Sequence, residues 1–162
     1  MMKRHGWHLL FHECLIEQLL KLKAAVERAQ AQDPEGFESN ANAKLLNALS
    51  RLILETIPTD PHAEKYHLGN TMGPEFRHWR RAKIGRRFRL FFRFDSQTRI
   101  IIYAWVNDTN TLRASGSKTD PYTVFQRMLK LGNPPDDWSS LLATSKTEFD
   151  TPPCKRITKH LV

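Results

Sequence analysis

Acidic residues are missing from one part of this sequence. Residues 76–94, FRHWRRAKIGRRFRLFFRF, hold eight Arg/Lys and no Asp or Glu. The 162-residue chain carries 25 basic and 17 acidic residues, so the remainder is balanced at 17 against 17 and the whole formal excess of +8 sits in this segment. Such a concentration, with a sequence pI of 9.8, favours a polyanionic partner. Cysteine is nearly absent too. Cys14 and Cys154 stand far apart, with no CxxC and no histidine at ligand spacing. That excludes a disulfide scaffold and a zinc motif, and it fits reduced thiols in a cytoplasmic protein. No apolar run approaches the roughly 20 residues of a membrane helix. The opening MMKRHGWHLLFHECL has a short apolar run broken by His8, His12 and Glu13, so no signal peptide is expected. No carboxylate cluster or His/Cys set of metal-ligand type is visible, and neither metal nor cofactor is expected.

Within the basic segment the residues alternate. Phe88, Leu90, Phe92 and Phe94 fall on one parity, and Arg87, Arg89, Phe91 and Arg93 on the other. Period two predicts a strand with one buried and one exposed face. Ala82 and Ile84 alternate with Arg81 and Lys83 just before it. For Ile84 and Phe88 to share the core face the turn must be odd, most simply Gly85-Arg86-Arg87. That register sets Lys83 beside Arg89 and Arg81 beside Phe91, giving an exposed cationic face with an aromatic in it.

The rest reads as one domain, residues 1–144, followed by a polar basic tail, 145–162. A short apolar run (residues 6–11) suggests an opening strand. Leu15, Leu19, Leu22 and Val26 predict a helix broken at residues 33–36, and Leu45, Leu49, Leu52 and Ile53 a second helix ending before Pro58. Both stripes are core. Residues 58–78 are rich in Pro, Gly and His and read as a long loop. There His62 and His67 are expected to be solvent-exposed, while His78, beside the basic strand, remains an acid/base candidate. The run RIIIYAWV (residues 99–106) is apolar on both parities, as for a central strand covered on both faces. Asp120 is a good N-cap and Pro121 a good first residue for a helix with Val124, Phe125, Met128 and Leu129 on its buried side. A short last helix follows Pro134-Pro135. The order predicts an α+β domain: a small antiparallel sheet with an N-terminal helical hairpin on one face, C-terminal helices, and the cationic face opposite the hairpin.

Together these motifs resemble a known family. Trp79, Arg81, Lys83 and Gly85 form W-x-R-x-K-x-G, residues 87–93 form R-F-R-L-F-F-R, and residues 105–113 form W-x-N-D-x-N-T-L-R. K-T-D-x-Y-x-V-F-x-x-M-L-K at 118–130 and G-x-P-P-x-D-W at 132–138 complete the set. Over residues 6–142 the chain resembles the YhaV toxins, a branch of the RelE-like fold. The resemblance implies the toxin of a type II toxin–antitoxin pair, an endoribonuclease acting on messenger RNA with the ribosome as an expected aid. It implies as partner a PrlF-type antitoxin of the AbrB-like swapped-hairpin kind. In the wider RelE-like family a strand Arg/Lys set works with an Arg and a Tyr at the start of the C-terminal segment. Arg89 matches the strand arginine, Tyr122 the tyrosine, and Arg113 or Lys118 the other cation.

RNA cleavage by its own 2′-hydroxyl needs a proton acceptor, cations at the phosphate and a donor for the leaving oxygen. Arg81 and Arg89 suit bidentate phosphate contact, with Lys83 as candidate base among their charges. Arg80, Arg87, Arg93 and Lys118 are candidate RNA contacts, and Phe91 would stack on a base; Phe91 could equally be core. Tyr122 is equally a core residue by its spacing with Phe125 and Leu129. Asp108 and Asp120 are acid/base candidates whose plainer roles are turn former and helix cap. Two other readings remain open: a non-catalytic RNA- or ribosome-binding module, and a domain whose basic face holds an acidic antitoxin.

Overall fold

A computed structural model of the protein describes residues 2–147; Cys154 and most of the tail lie outside the described residues. Strands β1 (Met2–Arg4) and β2 (Trp7–Phe11) form a hairpin whose two turn residues, His5 and Gly6, both have positive φ. Such left-handed pairs match the twist of tight hairpins. Helix α1 (Glu13–Gln32) follows, capped by His12, whose Nδ1 accepts the Cys14 backbone N–H at 3.1 Å. Burial holds the His12 imidazole below its ordinary pKa, which keeps it neutral and able to accept. Burial likewise pushes the Cys14 thiol up to about 11, an unreactive packed cysteine.

Helix α2 (Ala41–Arg51) starts on the Asn40 side chain and does not stop before Pro58 as the sequence predicts. It passes through a π-helical stretch, Leu52–Thr56, into a last turn α3 (Ile57–Thr59). The Ile57 N–H already bonds to Leu52 O, so the ladder is out of α-register where Pro58, lacking an N–H, enters. Strands β3 (Arg80–Ile84), β4 (Phe88–Asp95) and β5 (Ile100–Val106) make the expected antiparallel meander. Helices α4 (Pro121–Lys130) and α5 (Trp138–Thr144) close the domain.

The architecture is α+β, as the sequence predicts, but the sheet is mixed rather than wholly antiparallel. Its order is β1-β2-β5-β4-β3, and β2 runs parallel to β5. The central strand β5 is apolar on both sides, so each face must be covered. On one face Leu9, Leu90, Phe92, Ile101 and Tyr103 pack against Leu15, Leu19, Leu49 and Ile53 of the helical hairpin. On the other, Leu10, Phe91, Ile102, Ala104 and Trp105 pack against Trp79, Phe125, Leu129 and Leu141. A bulge between Phe91 and Phe92, opposite Ala104, lets Ala104 and Trp105 point the same way. The loop ahead of β3 wraps the sheet edge: Tyr66 joins the first core, while Leu68, Met72 and Phe76 join the second.

This second layer corrects one expectation. The parity carrying Arg81, Arg89, Phe91 and Arg93 is not a free cationic face, because α4, α5 and the loop lie over it. Phe91 and Phe92 are both fully buried, so Phe91→Ala and Phe92→Ala should each destabilise the fold by about 3–5 kcal/mol in urea titrations. A one-sided sheet would leave the Phe91 variant as stable as the parent.

Candidate active site

The site is assembled at the turn end of the β3–β4 hairpin. Gly85, at φ 59, allows the three-residue turn, and the register then pairs Lys83 with Arg89 and Arg81 with Phe91. Where β5 leaves the sheet, loop 107–113 is fastened to this turn: the Arg113 backbone N–H donates to Arg87 O at 3.0 Å. The loop then reaches Asp120, whose carboxylate accepts the Tyr122 N–H (3.1 Å) and the Ala114 N–H (2.8 Å) and pairs with the Arg113 guanidinium. Asp120 thus caps α4 and orients a cation at once.

Three guanidinium groups converge on Tyr122. Their carbons lie 5.0 Å (Arg113), 5.8 Å (Arg81) and 6.0 Å (Arg89) from the ring centroid. Arg89 Nε donates to the Tyr122 hydroxyl oxygen at 3.0 Å, and Arg89 Nη1 donates to Phe88 O at 2.8 Å. Arg81 donates to Lys65 O (3.2 Å) and His67 O (3.3 Å), while its buried Nε has no hydrogen-bond partner. Arg81 and Arg89 are only 8% and 7% exposed, which replaces the expected solvent-facing strand arginines with an inner wall. The exposed cations of the adjoining chain, the rim, are Lys83, Arg86 and Arg87 on the hairpin and Lys118 ahead of α4, with Arg113 half-exposed. Asp120 is the carboxylate paired into this cluster, so positive charge is left over in a partly desolvated place. An anion such as a phosphate would offset it.

The remaining candidates lie elsewhere. Arg93 is held between the Trp79 and Trp138 rings (5.6 and 5.4 Å) and donates to Asp136 O at 2.6 Å. Burial lowers its pKa, against the pull of Asp136 and Asp137. His78 Nε2 and Trp79 Nε1 both meet Asp136 Oδ1, at 2.6 and 2.7 Å. Arg80 donates to Arg77 O and Trp79 O with its guanidinium 5.6 Å from the Phe94 ring, and burial lowers its pKa too. Arg93, His78 and Trp79 tie the start of α5 to the sheet through Asp136, Arg93 standing four residues, roughly 13 Å, along β4 from Arg89, while Arg80 stays on local carbonyls beside Arg81. Phe91 is stacked on Phe125 at 4.2 Å and on Trp105 at 6.0 Å inside the core, so the expected base-stacking role is corrected: its faces are already covered. Tyr122 is both things the sequence left open, a buried residue of the second core and a member of the cluster.

Asp108 faces the helical hairpin. Its carboxylate accepts Gln18 Nε2 (3.2 Å), Thr111 Oγ1 (3.0 Å) and the Asn110 N–H (2.9 Å). Burial alone would raise its pKa, but these bonds, with Lys21 nearby, bring it below the ordinary value. A cavity of about 460 Å³ opens beside it, between α1, α2 and the end of β5, on the sheet face away from the cluster. One residue escaped the sequence reading: Asn107, buried, which joins the hairpin turn to loop 107–113. Its signal was an amide placed where an apolar strand turns abruptly polar. Among the described residues no three His, Cys, Asp or Glu side chains converge as a metal site.

Residues 9–146 match the model of a family described as a toxin with endonuclease activity, of a toxin–antitoxin system. The chain is 43% identical over 146 residues to Toxin YhaV of Escherichia coli O6:H1, covering 89% of this chain and 94% of that protein. It is 42% identical, with the same coverage, to the Ribonuclease toxin YhaV of Escherichia coli strain K12. No solved structure gives a significant match.

The Asp108 carboxyl supplies a pH signature. Its folded pKa lies below the unfolded value of about 3.9, so its stabilising effect is complete above that value and is lost as pH falls through the lowered one. Asp108→Asn should therefore be less stable than the parent at pH 7, with the gap closing toward pH 2–3 in denaturant titrations. A gap independent of pH would show that the charge contributes nothing.

Proposed function

The chain belongs to the YhaV toxin family, endonucleases of toxin–antitoxin systems, and from this we propose that it cuts RNA at the Tyr122 cluster. The observation that carries the reading is the convergence of Arg81, Arg89 and Arg113 on one tyrosine beside the exposed Lys83. The scissile phosphate would sit against Arg113 and the rim cations, with Arg89 and Arg81 behind. Lys83 takes the proton of the 2′-hydroxyl as that oxygen forms its bond to phosphorus. The bond from phosphorus to the 5′-oxygen breaks, and the leaving oxygen receives a proton from the Tyr122 hydroxyl, whose oxygen already accepts from Arg89 Nε. The products are a 2′,3′-cyclic phosphate and a 5′-hydroxyl. Charge building on the phosphorane-like transition state falls on guanidinium groups aimed at it beforehand, so the scheme calls for no metal.

The substrate is messenger RNA, with the ribosome helping to present it, and the setting is the cytoplasm; among the described residues no helix is long and apolar enough to cross a membrane. A PrlF-type, AbrB-like antitoxin would silence the enzyme by covering the rim of Lys83, Arg86, Arg87, Arg113 and Lys118. Affinity between toxin and antitoxin should then fall as salt rises. An affinity unchanged between 50 mM and 500 mM salt would move the antitoxin to an apolar surface instead.

Purified protein incubated with RNA in EDTA tests the reading, with cyclic phosphate ends expected. Binding without cutting would leave an RNA-docking module. Lys83→Arg separates base from clamp, because a guanidinium keeps the charge but does not give up its proton. It should bind RNA within about threefold of the parent and cleave at least ~100-fold more slowly in single turnover. A near-parental rate would transfer the base to another group, Tyr122 first.

A further inference from the structure

Asn107 is 2% exposed and lies where β5 ends. Continuing the β4–β5 register past Leu90 and Val106 would set Arg89 opposite residue 107, but the backbone turns away there. The side chain completes the ladder instead: Asn107 Oδ1 accepts the Arg89 backbone N–H at 2.8 Å. Its Nδ2 donates to Arg87 O at 2.9 Å and to Thr111 O at 2.7 Å. One amide therefore uses both donors and its acceptor: two of the bonds run to the hairpin, at Arg89 and Arg87, and the third closes the loop on itself at Thr111. Arg87 O is also where the Arg113 N–H lands, so the start and the end of the loop meet on one carbonyl.

The tethered loop is stiff in itself. Asp108 closes a turn on the Asn110 N–H and Thr111 Oγ1, and the Thr111 N–H bonds to Asp108 O at 3.1 Å. On the hairpin side this stiff turn is held by Asn107, on the helical side by Gln18 through Asp108, and two residues beyond it stands Arg113. Arg89, on the other side of the fastening, holds the Tyr122 hydroxyl.

We propose that Asn107 is the positioning residue that sets Arg113 in register with Arg89 around Tyr122. It is too buried to touch RNA, and it acts through the two arginines. The inference rests on the cleaving site proposed above, and it concerns how that site is held rather than what it does.

Asn107→Asp tests it. The new carboxylate can accept from Arg89, yet it faces the carbonyl oxygens of Arg87 and Thr111 with no proton to offer, so the start of the loop loses its hold on Arg87 and is pushed from it. Asn107→Ser, uncharged and too short to reach both carbonyls, does the same should the aspartate variant fail to fold. With folding verified by circular dichroism at the assay temperature, single-turnover cleavage should drop at least ~30-fold, while 2′-O-methyl RNA, which binds and cannot be cut, is held within about threefold of the parent. The deciding measurement is a double-mutant cycle with Arg113→Ala. If that change costs the parent about 100-fold in rate, it should cost the Asn107 variant less than about tenfold, because Arg113 is already misplaced there. Independent, multiplicative losses would make Asn107 an ordinary stability residue and overturn the inference, as would a parental rate in both variants. Should the parent itself fail to cleave RNA, the fault lies in the cleaving-site reading on which this rests.

Discussion

Water has to be kept from both faces of β5, and the rest of the structure depends on how that is done. On the side away from the helical hairpin, Ile102, Ala104 and Trp105 join Phe91 of β4 in an apolar surface too large to leave open. Helix α4 closes it, with Phe125 stacked against both Phe91 and Trp105. Once Phe125 is there, Tyr122, one helical turn earlier, is carried to the hairpin end of the sheet, among the arginines of β3 and β4. The tyrosine of the cluster is thus delivered by packing, and its edge-to-face contact with Phe91 at 5.7 Å is part of that packing.

Covering that face also encloses Arg81 and Arg89, a costly arrangement for cations whose group, among the described residues, holds a single paired carboxylate, Asp120 on Arg113. The structure offsets it with carbonyl oxygens: Lys65 and His67 for Arg81, Phe88 for Arg89. These acceptors fix direction without cancelling charge, so the positive potential survives burial and is aimed toward the rim. Such preorganisation suits a reaction whose charge builds on a phosphate. The solvent-exposed arrangement expected from alternation alone would hold the same cations more loosely and in a higher dielectric.

The basic segment divides into two kinds of arginine. At the hairpin turn, Arg81, Arg89 and the rim carry the proposed chemistry. At the other end Arg93 lies between two tryptophans and bonds to the backbone of Asp136, while His78 and Trp79 share the Asp136 carboxylate. That second group fastens α5 to the sheet, and counting it with the RNA contacts would misread a structural clamp as binding charge.

The local patterns were decided by the sequence alone. Alternation set the β3–β4 register and its odd turn, apolar periodicity set α1 and most of α2, and Asp120 with Pro121 set the start of α4. Each is a short-range matter of side-chain period or capping that neighbouring residues determine. The convergence of Arg81, Arg89, Arg113 and Tyr122 was suggested by motif resemblance, but only the tertiary structure brings them together, since they come from two strands, a loop and a helix. The same holds for burial. Parity tells which residues share a face and is silent on what lies over that face, so the two strand arginines read as exposed and Phe91 stays open between base stacking and core until the whole chain packs. The parallel pairing of β2 with β5 and the hydrogen bonds of Asn107 to Arg89 and Arg87, 18 and 20 residues away, were equally out of reach. Long-range pairing depends on which buried surfaces must meet, and that is settled only when the whole chain packs.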